Sequence, residues 1–528
     1  MSEDASFPVS TRRIPMGRRV AGGVLAAALA LFCLSNSLLL LSSQIPRLFQ
    51  LDEVAYGESY VFYDVLHFQN SGEIYRDLSQ PPYLPAQYSP LMYMLYSLPG
   101  RVLAFENPFL GPRAIALFAF LLCIAIVVSI VRMLIPARHA WVWGVLLATS
   151  IIGLQTWQPW IISARGDLPG TVFSLLALRL LLSRSGRAVP LAGLCAGLSM
   201  QFKITFVAAM AAGFLWLLFR KQWRELVSFA AAAALSSAGP YLLFWVREPR
   251  MLAQMTALSP AVKHLPGAVT LSFRAIREPV TLLALLALPP IGLRSWSRWT
   301  LLFLFAVISL AIGGLATIQA GASLNYFFEG LLVLVPAAVL GILRLIRWAR
   351  QRAGVAAFLS SIILLHLLPP TALSLYETLW SESASQQVVR GNSKVRDLKH
   401  ILARRHIFST VPWLALLDPP PIVTEPFLMS YMQQLGKFDP EPIAQRIRDQ
   451  EFDVVITAVG PPDYRGIPKI APDLRRAIEE AYKPQCRMVG ALMHVPRARA
   501  GADDLIQELD RDGCIPVRDD GKTAGANR

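Results

Sequence analysis

Residues 113–135 read RAIALFAFLLCIAIVVSIVRMLI. Between Arg113 and Arg132 no side chain is charged. A helix of this length crosses the roughly 30 Å of hydrocarbon in a bilayer. The pattern recurs in both directions. We expect eleven spans, at about 20–43, 113–135, 140–162, 168–184, 189–202, 204–219, 225–246, 280–293, 299–319, 328–346 and 354–375. The first is too long for a signal peptide and has no small-residue cleavage site, so it reads as an anchor. Composition agrees: of 528 residues 54% are apolar and 16% charged, with a mean hydropathy of +0.46. Soluble proteins carry roughly 25% charged residues, which excludes an ordinary soluble multidomain enzyme. The net charge of +15 would otherwise suggest nucleic acid. Repeated membrane-length runs argue against that partner.

The positive charge serves as an orientation signal instead. With the N-terminal segment 1–19 in the cytoplasm, every inside loop is basic, from Arg12, Arg13, Arg18 and Arg19 to Arg344, Arg347, Arg350 and Arg352. The inside segments hold 18 cations against three acids, and the outer loops hold 11 of each. An odd span count places the chain after about 376 outside. The expected architecture is therefore an α-helical polytopic membrane protein. Its membrane module covers 20–375, with a long outer loop at 45–112. A small C-terminal α/β domain follows over 376–503, where helix-like stretches (394–405, 440–450, 472–482) alternate with strand-like runs (422–426, 453–458, 487–495). Residues 504–528 are polar and expected to be disordered.

The outer loop carries Asp52, Glu53, Glu58, Asp64, Glu73 and Asp77. Helical spacing from Val54 to Phe68 predicts an amphipathic surface helix over 52–69. The Pro-punctuated segment 85–106 reads as an interfacial helix. A second outer loop, 247–279, is made positive by Arg247, Arg250, Lys263, Arg274 and Arg277. Cys33, Cys123 and Cys195 fall in spans and read as packing residues. Cys486 and Cys514 share the tail, and an external tail permits a disulfide between them. No CxxC, HExxH, Walker or GxGxxG element occurs.

Several polar residues stand at the outer ends of spans. Asp52-Glu53 lie where the membrane boundary would raise a carboxylate pKa toward that of a general base; alternatively Asp52 caps the following helix. Asp167, in SARGDLPG, is either a helix cap or a second acid at the same face, with Arg165 beside it suited to a phosphate. Lys203, in MQFKITF, is a snorkelling anchor or a phosphate ligand. Asn325, Tyr326 and Glu329, in SLNYFFEGLL, form a hydrogen-bonding cluster suited to a sugar or phosphate head group. Tyr326 also suits an interfacial aromatic belt, and Glu329 suits a helix N-terminus. His67 and His264 are outer-side histidines, either metal ligands or ordinary interface residues.

Taken together these motifs resemble the GT-C class of integral-membrane glycosyltransferases. Within that class the chain resembles the bacterial family that includes the lipid A aminoarabinose transferases and that is itself similar to protein O-mannosyltransferases. The similarity rests on Asp52-Glu53 after the first span and on SGEIYRD, PPY and YSPLMYML within 71–95. The RGDLPG loop, the QFK turn and NYFFE complete it, and it covers about residues 20–345. It implies transfer of a sugar, with inversion, from a polyprenyl-phosphate donor to a lipid, glycan or protein acceptor. Transfer would occur on the outer face of a bacterial cytoplasmic membrane. It implies Asp52 as the base, with Glu53 as the competing choice and Asp167 in support. Lys203 would touch the donor phosphate, and Arg165, Asn325, Tyr326, Glu329 and Tyr88 would bind substrate. A divalent cation stays open. A multi-pass transporter or lipid flippase is the alternative. Such a protein should carry ionisable groups near the midplane of repeated halves. Here the acids gather at one face and no repeat is evident.

Overall fold

The computed structural model describes residues 16–517 except 56, 104–106, 153–157, 184, 257–264, 287–296, 320–321, 353, 355–382, 417–421, 460–462, 465–466, 469, 499–501 and 512–513. The membrane module is built of α1 (Met16–Arg47), α2 (Glu58–Ser71), α3 (Pro90–Val102), α4 (Leu110–Leu134), α5 (Ala140–Ile152), α6 (Asp167–Leu182) and α7 (Ala188–Met200). There follow α8 (Ala208–Phe219), α9 (Trp223–Arg247), α10 (Arg250–Met255), α11 (Leu265–Arg277), α12 (Pro279–Leu285), α13 (Arg298–Ala316) and α14 (Phe328–Gln351). Five stretches, Gly22–Arg47, Leu110–Leu134, Trp223–Arg247, Arg298–Ala316 and Leu324–Gln351, are long and apolar enough to cross a membrane. Ala140–Ser150, Ala188–Met200 and Ala208–Phe219 are shorter apolar helices. The expected eleventh span at 354–375 lies almost wholly outside the described residues, as does the second half of the eighth, 287–293.

The long helix α14 is the axis of the bundle. It packs against α1, α4, α5, α12 and α13, and its apolar residues from Leu331 to Val339 are all buried. Helix α13 starts at a reciprocal cap in which Ser297 and Thr300 exchange side-chain and backbone hydrogen bonds. Helices α2 and α3 share a core of Val61, Phe62, Val65, Met92, Tyr93 and Tyr96. Helix α2 begins at Glu58, not at 52 as the periodicity suggests. Gly57 sits at φ 83°, a left-handed conformation that ends the irregular segment before it. Asp52 is therefore not an N-cap.

The C-terminal domain is a three-layer α/β unit. Its strands are β1 (Ile407–Ser409), β2 (Ile422–Val423), β3 (Val454–Ala458), the short pair β4 (Asp463–Tyr464) and β5 (Ile467–Pro468), then β6 (Tyr482–Met488), β7 (Ala491–Pro496) and β8 (Ile515–Pro516). The main sheet has the order β2-β1-β3-β7-β6-β8. The first three strands are parallel and the rest antiparallel. Its helices are α15 (Ala384–Leu402), α16 (Pro426–Gln434), α17 (Glu441–Arg448), α18 (Pro472–Ala481) and α19 (Ala502–Arg511). Period-two alternation divides the strand residues between two faces. Phe408 and Val455 meet α16, α17 and α18, whereas Ile407, Val454 and Ile456 meet α15 and α19.

Two expectations for this domain need correction. The apolar run 487–495 is not one strand but the turn of a hairpin. Val489 and Gly490 both take positive φ, 49° and 69°, as a two-residue hairpin turn requires. Nor is 504–528 uniformly disordered. Leu505 and Leu509 bury the apolar face of α19, Cys514 is disulfide-bonded to Cys486, and β8 pairs with β6. Polar composition masked an amphipathic helix there. Residues 518–528 lie outside the described ones. Cys33, Cys123 and Cys195 are free and buried.

Candidate active site

The described residues between α1 and α2 form no helix or strand, so their backbone polar groups need partners from elsewhere. Arg113, at the first turn of α4, supplies most of them. Its Nη1 donates to the carbonyls of Arg47 (3.1 Å) and Gln50 (2.6 Å), and its Nη2 to that of Asp52 (2.6 Å). The same guanidinium makes a two-pronged pair with Glu58: Nε to Oε1 at 3.0 Å and Nη2 to Oε2 at 2.8 Å. Both side chains are fully buried. Glu58 also accepts the Val54 N–H at 2.9 Å and the Ala164 N–H at 3.3 Å. One buried ion pair thus joins the Asp52 segment to the loop before Asp167.

Asp52 and Glu53 ride on this frame. Burial raises the Asp52 carboxyl above its ordinary range, against hydrogen bonding from Gln50. The Glu53 side chain keeps some exposure, yet desolvation pushes its carboxyl up to about 7, against the donor Ser59 Oγ at 3.0 Å. Arg165 also acts on Glu53, favouring its charged form. The Arg165 guanidinium lies over the Trp160 ring at 4.2 Å. Its Nη2 is close to Gly57, where a Cβ would stand 3.0 Å away. Its Nε is buried and finds no hydrogen-bond partner among the described residues.

The second half of the site forms where the RGD loop meets the QFK turn. That meeting requires Gly166, because a Cβ there would lie 2.2 Å from the carbonyl oxygen of Phe202. The contact brings Lys203 Nζ to 2.9 Å from Asp167 Oδ1. Asn325 Nδ2 donates to the same oxygen at 2.9 Å, and the ammonium sits 3.5 Å from the centre of the Tyr326 ring. Asp167 Oδ2 and Asn325 Oδ1 are buried without a partner among the described residues. Glu329 lines the same pocket with Thr205 and Ser309. Both its carboxylate oxygens are occupied, one by Ser174 Oγ and the other by Ser309 Oγ at 2.6 Å.

Tyr88 stands near both cations, whose fields oppose the rise that burial imposes on its phenol. Its backbone is fixed by two phenols: its N–H donates to Tyr93 Oη at 3.1 Å, and its carbonyl accepts from Tyr75 Oη at 2.6 Å. The structure thus gathers Asp167, Lys203, Asn325, Tyr326 and Glu329 in one pocket, with Arg165 and Tyr88 adjoining; Arg165 also acts on Glu53, whereas the charged neighbours of Asp52 are Arg113 and Glu58. His67 stacks on Tyr63 instead, and His264 lies outside the described residues. Among the described residues no group of three or more His, Cys, Asp or Glu side chains forms a metal site. Arg113 and Glu58 escaped the sequence reading as site elements. Their signal was a charge set directly against an apolar run on the less basic face of the protein.

No protein-family model and no curated protein matches the chain. Solved structures do. ArnT from Cupriavidus metallidurans in the apo state superposes with a TM-score of 0.56 at 12% identity, over 90% of this chain and 98% of that one. The same protein bound to undecaprenyl phosphate gives 0.54 at 12% identity, over 90% and 97%. The chain therefore carries the GT-C fold, a polytopic helical module followed by a small C-terminal α/β domain.

Proposed function

We propose that the protein transfers a sugar from a polyprenyl-phosphate carrier to an acceptor hydroxyl on the outer face of the membrane. The observation that carries this is the pairing of two environments across Arg165. On one side is Glu53, on which Arg165 acts, with Asp52 next to it in the chain; both carboxylates have raised proton affinity. On the other is a pocket whose buried Asp167 Oδ2 and Asn325 Oδ1 have no partner among the described residues. Buried polar atoms without partners are costly in a finished structure, and a bound sugar's hydroxyls would satisfy both acceptors. The fold supports the same donor class, since its ArnT neighbour was solved bound to undecaprenyl phosphate.

Asp52 accepts the acceptor's proton as the hydroxyl oxygen attacks C1 of the sugar. The bond from C1 to the phosphate oxygen breaks on the opposite side, which inverts the anomeric centre. Its electron pair stays on the phosphate, where Arg165 stabilises the developing charge. Lys203 is partly neutralised by Asp167, so it orients that acid and the sugar more than it attracts the carrier. Arg165, with its unpartnered Nε, is the better phosphate ligand. Glu53 adjoins the base and tunes the field at Arg165.

The test uses full-length protein in nanodiscs with a series of undecaprenyl-phosphate-linked hexoses, pentoses and aminosugars. Extracted envelope lipids and glycans serve as acceptors. Release of undecaprenyl phosphate is measured. Asp52→Asn should lower it about 10³-fold with normal expression. Wild-type turnover by that variant removes Asp52 as the base. Movement of the intact donor across the bilayer without release would favour a flippase.

A further inference from the structure

We propose that the C-terminal domain completes the active site, with Asn392 as a positioning residue that fixes the backbone on either side of Gln50 and so the placement of Asp52. This rests on the assignment of Asp52 as the base. The relevant geometry is a division of labour over six backbone groups. Arg113 takes the carbonyls of Arg47, Gln50 and Asp52, and Glu58 takes the Val54 N–H. The carbonyl of Phe49 and the N–H of Leu51 face the other way. Both are met by a single amide from α15: Asn392 Nδ2 donates to Phe49 O at 2.9 Å, and Asn392 Oδ1 accepts from Leu51 N at 2.8 Å. Each end of the amide can play only its own part, so both bonds exist only in this orientation. Of these groups, those from 47 to 52 are therefore gripped alternately by the membrane module and by the C-terminal domain, and Val54 is again held by the membrane module.

The grip is not a lone contact on a loose domain. Tyr60 Oη, on α2, donates to Glu425 Oε1 at 2.9 Å in a buried bond. The Tyr83 N–H donates to the Val423 carbonyl at 3.1 Å, so the outer loop bridges onto β2. The 3-10 turn Pro412–Leu416 packs on α2, with Trp413 and Leu414 in the same apolar core as Val61 and Val65. Asn392 thus reaches the Asp52 segment from a docked, rigid support. A reactive group on a loop gains accuracy only from such support, and a misplacement of about 1 Å can cost on the order of 100-fold in rate.

Amide hydrogen exchange on full-length protein in nanodiscs needs no substrate. In Asn392→Ala the amides of 49–53 should exchange about tenfold faster, the loss of one to two hydrogen bonds, while β3 and β7 stay protected. Asn392→Asp keeps an acceptor for the Leu51 N–H and loses the donor to Phe49, so its effect should be intermediate. Unchanged exchange at 49–53 in Asn392→Ala overturns the proposal. Turnover of whichever undecaprenyl-phosphate sugar the wild type uses gives the second readout. Asn392→Ala should lower kcat about 10- to 100-fold with the donor KM unchanged; a raised KM at wild-type kcat overturns positioning. If Asp52→Asn is inactive but Asn392→Ala matches wild type in both readouts, positioning fails and the base stands. If the wild type turns over none of the sugars yet Asn392→Ala loosens 49–53, the transferase assignment fails and the holding of the loop is supported.

Discussion

Asp52 and Asp167 both stand beside the ends of apolar helices, yet they are held in opposite ways. Asp167 is fixed through its side chain: Lys203 and Asn325 each reach Oδ1 at 2.9 Å, and Tyr326 covers the ammonium. Asp52 is fixed through its backbone, by Arg113 at its own carbonyl and by Asn392 one residue away. Among the described residues no ion pair reaches its carboxylate. Pairing a carboxylate with an ammonium gives it a place and removes its basicity. Holding the peptide groups around it gives a place and leaves the proton affinity to be set by burial. A general base needs the second arrangement, and an orienting acid tolerates the first.

The comparison breaks most visibly at Arg113. Removing one partner of a fully buried pair leaves an uncompensated charge, costing about 3–5 kcal/mol. Arg113→Met and Glu58→Gln should each lower thermal stability in detergent by that amount. Their combination should recover much of the stability, since no buried charge remains. It should not recover turnover, because the carbonyls of Arg47, Gln50 and Asp52 have lost their donor. A double variant that regains both would show that the pair supports the fold alone.

A smaller effect sharpens the other side. If Lys203 acts by orienting Asp167, then Lys203→Met and Asp167→Asn damage one shared device. Binding of undecaprenyl phosphate in a double-mutant cycle should then show a coupling of about 1–3 kcal/mol. Additive losses would instead make Lys203 an independent phosphate ligand, as the family resemblance implies.

The same contrast explains how far the sequence could be read. Asp167, Lys203 and Asn325 were legible because a polar side chain at the end of an apolar run is conspicuous, and each lies at such an end. The bundle was legible for the same reason, since membrane-length runs need no knowledge of partners. Glu58 was one acid among seven in its loop, and its partner is 55 positions away. Asn392 sits on an amphipathic helix of ordinary composition, 341 positions from Leu51. A residue that serves backbone groups leaves no complementary residue type at the other end, so no pattern of side chains could point to it. The start of α2 was misplaced by a related effect. Apolar periodicity from Val54 continues through residues that Gly57 prevents from being helical.

The smallest expected effect concerns Glu53, which belongs to the Asp52 segment but acts on Arg165. Its carboxyl, pushed up to about 7 by burial, is mostly neutral at pH 6 and mostly ionised at pH 8. When ionised it offsets part of the Arg165 charge. When neutral it leaves that charge for a phosphate, so binding of undecaprenyl phosphate should strengthen as pH falls through 7. The lipid phosphate titrates in the same region, and that contribution is common to wild type and Glu53→Gln. Their difference therefore isolates Glu53. At pH 6 the two should bind alike. At pH 8 Glu53→Gln should bind about threefold more tightly, the size of a screened charge interaction near the surface. Parallel pH profiles for the two proteins would separate Glu53 from Arg165, and the phosphate would then have to be sought on the Lys203 side of the pocket.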